Sequence, residues 1–292
     1  MNAYLIFRSL AAVSLVIGFT TGSLAADPFT TRTVVYNNAG DRELKLELIE
    51  PTTGDEGTGD QEKRPAIVFF HGGGWSGGNY SAFRSRARRF AAKGITGVLV
   101  EYRLIGRKPN DPPVVCIQDA KRAMRWVRSH AEELHIDPER IAACGSSAGG
   151  HLTACVGMLP GVDDPQDDLE VSSRANAMIM FCPVLDNGPD GGYDGGPGYG
   201  HERCGPEWKK YSPAHHVTKE APPALVMMGD NDHLIPVATL ERFQKKMQEA
   251  NARCDLHVFK GTHSFASENG NGPKTIELIE KFLVSLEWLR EE

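Results

Sequence analysis

The sequence predicts an α/β fold in which a mostly parallel central sheet is covered by helices on both faces, and three observations carry that expectation. From residue 66 onward, short apolar runs of strand length alternate with amphipathic stretches of helical length. Glycine-rich turns follow several of the strand runs, where such a sheet places its functional loops. The 292 residues, 40% hydrophobic and 24% charged, can bury a full core in one domain, expected over 26–292.

Before the first strand, Arg8, the apolar stretch Leu10 to Phe19 and the small-x-small pattern Ser23-Leu24-Ala25 read as a signal peptide over residues 1–25, cleaved near Ala25 or Ala26. That apolar run is shorter than the about 20 residues of a membrane span, so the expectation is a secreted or periplasmic protein without a membrane anchor. Thr33 to Tyr36 and Leu44 to Ile49 flank the turn Asn38-Ala39-Gly40-Asp41 and predict an opening hairpin. Pro51 to Arg64 is Gly-, Thr- and acid-rich without periodicity, which predicts a mobile surface loop.

The alternation then runs through the strand Ala66 to Phe70, a helix Ala82 to Lys93, the strand Gly97 to Val100, a long helix Val115 to Leu134 and the strand Ile141 to Cys144. A helix starts near Ser147, and three more strands are expected at Ala177 to Phe181, Ala224 to Met228 and Leu256 to Phe259. Helices are expected at Val237 to Ala250 and Thr275 to Leu289. Asn187 to Trp208 breaks the rhythm with too few apolar residues for a packed element, and reads as a long Gly-rich loop that shapes substrate access.

A formal net charge of −6 gives no electrostatic footprint for nucleic acid. The basic run Arg84, Arg86, Arg88, Arg89 falls in a predicted helix and reads as a solvated surface. Six cysteines allow a disulfide in an exported chain, with Cys204 the best candidate, while Cys144 and Cys182 read as small core hydrophobes. No His, Cys, Asp or Glu cluster has metal-ligand spacing, so neither a metal nor a cofactor is expected.

Chemistry concentrates at four turns. Gly145-Ser146-Ser147-Ala148-Gly149 stands between a strand and a helix, the context of a nucleophile elbow with Ser147 at its centre. His71-Gly72-Gly73-Gly74-Trp75 follows a strand, and its bare N–H groups suit an oxyanion hole built from Gly73 and Gly74 together with Ala148, Gly72 being the alternative donor. Gly229-Asp230-Asn231-Asp232 offers two carboxylates. Asp232 stands farther out and orients a base, whereas Asp230 suits the turn itself. Lys260-Gly261-Thr262-His263 supplies the base at the same sheet edge, because a serine hydroxyl needs a neighbouring imidazole to take its proton. His151, His215, His216 and His257 read as surface or core residues, with His233 the one rival base.

These motifs, together with Tyr102-Arg103-Leu104, Asp137-Pro138-Glu139-Arg140-Ile141 and Ile235-Pro236, resemble the α/β-hydrolase esterases related to hormone-sensitive lipase and bacterial acetyl esterases, feruloyl and acetyl xylan esterase-like members included. The resemblance spans about Pro65 to Leu289 and implies the α/β-hydrolase fold and a serine carboxylesterase that forms an acyl-enzyme on Ser147. By analogy, its substrate is a small-molecule or polysaccharide ester with a short acyl group, acetyl or feruloyl. Trp75 and Tyr193 are candidates for lining the substrate pocket or for packing. The same residues also fit a serine peptidase or amidase/formamidase on this fold, and a non-catalytic binding protein is the remaining class.

Overall fold

Crossover connections and β-branched, apolar strands arrange this chain as one eight-stranded sheet in the order β1-β2-β4-β3-β5-β6-β7-β8. The strands are β1 (Phe29–Ala39), β2 (Arg42–Pro51), β3 (Arg64–Phe70), β4 (Thr96–Val100), β5 (Ile136–Ser146), β6 (Ala177–Phe181), β7 (Ala224–Gly229) and β8 (Cys254–Phe259). This is a computed structural model that describes residues 27–52, 63–191 and 200–291. The expected signal peptide, most of the Pro51 to Arg64 loop and Tyr193 lie outside the described residues.

β1 and β2 form the expected antiparallel hairpin, and β2 also pairs antiparallel with β4. Every later pairing is parallel. That topology explains the composition of β4, β6 and β7, which are buried along their whole length because helices cover both faces. The hairpin at the edge is different: β1 exposes Thr30 to Thr33 and is held to β2 by main-chain pairing, which extends it beyond the Thr33 to Tyr36 run visible in the sequence.

The covering helices are α1 (Arg84–Ala91), α2 (Val114–Ser129), α3 (Ala148–Met158), the short α4 (Gly200–Cys204), α5 (Val237–Glu249) and α6 (Asn271–Ser285). α2 stops at Ser129, short of the expected Leu134, and the chain passes through a left-handed His135 into β5. β5 begins earlier than its apolar stretch, because Asp137 satisfies the local backbone by accepting from Glu139 N–H and pairs with Arg140. Of the expected long loop at 187–208, the second half is helical: α4 continues into a 3₁₀ segment at Gly205–Tyr211, where Cys204 and Tyr211 are buried. Among the described residues no helix is long and apolar enough to cross a membrane.

All six cysteines are unpaired and buried, including Cys204, which the sequence singled out for a bridge. The basic run of α1 is only partly a solvated surface. Arg88 and Arg89 are exposed, whereas Arg84 forks onto Glu47 of β2 with both contacts at 2.6 Å, and Arg86 turns toward the carboxyl edge of the sheet.

Candidate active site

Parallel strands leave their carboxyl ends along one edge, and the loops after β3, β5, β6, β7 and β8 bring their side chains together there. β5 ends at Ser146 and α3 begins at Ala148, so Ser147 alone makes the turn, with φ 56° and ψ −117°. A non-glycine residue takes such angles only when its surroundings force it. Here the force is close approach. A Cβ on Gly149 would sit 2.0 Å from the Phe70 carbonyl oxygen, and one on Gly145 would sit 2.2 Å from that of Gly149. The glycines of the elbow are therefore required by backbone packed against backbone. Ser147 N–H donates to Phe181 O at 2.9 Å, and the first helical bond runs from His151 N–H to Ser147 O, which leaves the N–H groups of the first turn of α3 aimed at the serine end.

The glycine loop after β3 lies beside this turn. A Cβ on Gly72 would meet Ser146 O at 2.9 Å and Ser147 Cβ at 3.4 Å, so only a bare backbone fits against the serine. Gly73 and Gly74 take φ 123° and 61°, outside the range of ordinary residues, and all three glycines line the cleft. His71 anchors the loop from behind: its ring stacks on Tyr102, whose hydroxyl donates to His71 O at 2.7 Å.

Asp232 and His263 meet as the sequence led one to expect. His263 Nδ1–H donates to Asp232 Oδ2 at 2.7 Å, and the other carboxylate oxygen accepts from Leu234 and Ile235 N–H. Burial pulls the Asp232 carboxyl upward, but the imidazole and the two N–H groups outweigh it and hold the acid below the usual carboxylate range. For His263, burial works downward, and the Asp232 hydrogen bond followed by the Cys182 thiol prevails, leaving the imidazole above an ordinary histidine. Asp230 stays in the turn. It accepts from Gly261 N–H and pairs with Lys260, so it ties the β7 and β8 loops together.

Ser147 and His263 line one cleft of about 760 Å³ with the glycine loop, Phe181 and Cys182. Trp75 does not line it: with φ 58° its ring turns into the core, edge-on to His151 and beneath Arg203. His151 is a buried core histidine whose Nε2 contacts Tyr211 O, and burial pushes it down to about 4. His233 is exposed and absent from the lining. Two features escape a reading of the sequence. Cys182 Sγ donates to His263 O at 3.3 Å and lies 4.0 Å from His263 Nε2, and Arg86 and Arg107 reach the cleft. The position of Cys182 directly after a strand run was the available signal. Cys182, Asp232 and His263 place ligand atoms within 4.8 Å of one another, the one such group among the described residues. Asp232 is already saturated by His263 and two N–H groups, so this set fits a hydrogen-bonded acid–base pair better than a metal centre.

Comparison with known proteins agrees with this geometry. A family model described as BD-FAE matches residues 57–187, and the dienelactone hydrolase family matches residues 199–291. The apo form of Thermogutta terrifontis esterase 2 superposes with a TM-score of 0.80 at 37% identity, over 90% of this chain and 97% of that one. The chain belongs to the α/β-hydrolase serine esterases of the hormone-sensitive-lipase-like group. Its similarity to this family extends to a Mycobacterium tuberculosis carboxylesterase, NlhH, at 38% identity over 130 residues, 40% of this chain. That match spans only 39% of the mycobacterial protein's length. Esterase LipC of the same organism is 29% identical over 209 residues, 63% of this chain and 48% of its own. Esterase 2 has also been solved phosphorylated by paraoxon and with propionate bound.

Proposed function

We propose that this α/β-hydrolase esterase is a carboxylic ester hydrolase acting on short-acyl esters through an acyl-enzyme on Ser147, and that it does so after export and cleavage near Ala25. The observation that carries the reading is the meeting, in one cleft, of a serine held at a strained strand-to-helix turn, a histidine paired to a buried carboxylate, and a loop of three glycines.

In this reading Ser147 Oγ attacks the ester carbonyl carbon as its proton passes to His263 Nε2. The negative charge that builds on the carbonyl oxygen is met by the N–H groups of Gly73, Gly74 and Ala148, each worth roughly 3 kcal/mol in the transition state. Asp232 keeps the imidazole in the Nδ1–H tautomer and steadies the imidazolium. The imidazolium then gives its proton to the departing alcohol oxygen, and water, deprotonated by the same imidazole, cleaves the acyl-serine to release the acid. A short acyl group is supported by the propionate and butyrate bound in esterase 2. By the family resemblance, acetyl or feruloyl groups on a polysaccharide are the physiological esters in this reading.

The test compares the protein with Ser147→Ala on p-nitrophenyl esters from acetate upward and on acetylated xylan. Hydrolysis is expected to be fastest on short acyl groups and to vanish in the variant, and paraoxon is expected to add a single phosphoryl mass on the Ser147 peptide. Absence of turnover on every ester by folded protein, or labelling elsewhere, overturns the reading.

A further inference from the structure

α1 carries four arginines, and their surroundings differ. Arg84 is forked onto Glu47, Arg89 contacts Glu280, and exposed Arg88 lies over the Phe29 ring. Arg86 has no carboxylate and no hydrogen-bond acceptor among the described residues. Its Nε is buried and unsatisfied, and its guanidinium rests over the rings of Phe83 at 5.7 Å and Phe181 at 5.1 Å. Burial lowers its proton affinity, with a smaller influence of the neighbouring Cys144 thiol in the other direction. A guanidinium over aromatic rings still needs in-plane acceptors for its N–H groups, and removing such a group from water without one is costly.

Two cationic side chains reach the cleft around it. Arg86 and the exposed Arg107, whose Nε donates to Ser76 Oγ at 3.0 Å, both line it, and no aspartate or glutamate appears among its described lining residues. In a chain of net charge −6, Arg86 is a cation in the cleft wall with no acidic residue among the described lining.

We propose that the substrate is an ester carrying a carboxylate in addition to the scissile bond, and that the guanidinium of Arg86 receives that carboxylate. The proposal rests on the serine-esterase reading and gives its substrate a class: half-esters of dicarboxylic acids, or esters of a hydroxylated carboxylic acid. Both present the same anion, on the acyl side in the first and on the alcohol side in the second. Hydrolysis itself is unchanged. Water adds across the acyl-oxygen bond, and the second carboxylate leaves with whichever product carries it.

The experiment measures kcat/KM for two matched pairs at low ionic strength: p-nitrophenyl hemiglutarate against p-nitrophenyl pentanoate, and 4-acetoxybenzoate against its methyl ester. In one pair the anionic member is expected to be preferred about tenfold or more, as one charge-assisted hydrogen bond provides. Which pair shows this assigns the anion to the acyl or the alcohol side. Added salt is expected to erode the preference, Arg86→Gln to lower that ratio about tenfold, and Arg86→Lys to restore part of it. The wild-type ratios decide the matter even where a variant fails to fold. Turnover of the neutral esters with no anionic preference in either pair, or a ratio unmoved in folded Arg86→Gln, overturns this proposal and leaves the esterase reading standing. Failure to turn over any of the four esters removes the esterase reading, and this proposal with it.

Discussion

His263 Nδ1 and Asp232 Oδ2 stand 2.7 Å apart, with the aspartate side chain at 0% exposure and the histidine at 24%. The pair is asymmetric by construction: the acid is sealed beneath the loop after β7, and the base shows its other nitrogen to the cleft. Two opposite pH dependences follow. The acid's lowered pKa contributes stability that is present above the unfolded carboxylate value near ~3.9 and is lost as pH falls through the folded one. The base's raised pKa contributes stability that is full below the unfolded value near ~6.5 and is lost as pH rises through the folded one.

Asp232→Asn is therefore expected to cost most stability between roughly pH 4 and 6.5, where both contributions are full, and less toward either extreme. Thermal melts of both proteins across pH check this. Catalysis runs the other way, because His263 must be neutral to take the serine proton. The acid limb of kcat/KM is expected above the ordinary histidine value, to move down in the variant, and kcat to fall by about 10⁴-fold.

Gly149→Ala forces a Cβ to within 2.0 Å of Phe70 O and 2.6 Å of His71 O, both main-chain atoms that cannot rotate away. The expected cost is about 3 kcal/mol, with the elbow and the glycine loop pushed apart. Gly40→Asn is the contrast: that hairpin position has φ 66° and no heavy atom within 4 Å of a built Cβ, so an asparagine there is expected to change stability by less than about 0.5 kcal/mol. Denaturant unfolding of the two variants separates crowding from backbone angle.

Cys182→Ala removes the thiol that donates to His263 O at 3.3 Å while leaving the histidine and its acid in place. A weak sulfur hydrogen bond of about 0.5–1 kcal/mol predicts a two- to fivefold loss in kcat. Cys182→Ser is expected to recover much of it, since a hydroxyl donates in the same direction. Steady-state kinetics of the two variants at saturating substrate give the comparison.

The positions of Ser147, Asp232 and His263 were legible because each motif is local and follows a strand end, and the parallel topology needs only chain order to bring strand ends together. The same logic left Trp75 open between lining and packing. An aromatic after a glycine loop reads equally well as lining or packing, and the left-handed backbone that turns it inward is settled only by the loop's closure against Ile105 N–H. The helical run from Gly200 to Tyr211 was hidden by Gly and Pro in a segment whose apolar residues are few, although Cys204 and Tyr211 are buried. Arg86 was illegible for a different reason. Four arginines in six positions look alike in sequence, and their separation into a β2 clamp, two surface cations and a cleft cation depends on neighbours from β2 and β6.

The six buried thiols also bear on where this chain can mature. With no covalent cross-link, the folded state is set by strand pairing and packing alone, and a reductant has nothing in it to break. Folding withdraws most of the sulfur from oxidants, since Cys116, Cys144 and Cys155 are each at most 1% exposed afterwards, and leaves Cys182 facing the cleft. Folding is itself the protection: for the core thiols the window for mispaired sulfur closes when the sheet closes, on whichever side of a membrane that happens.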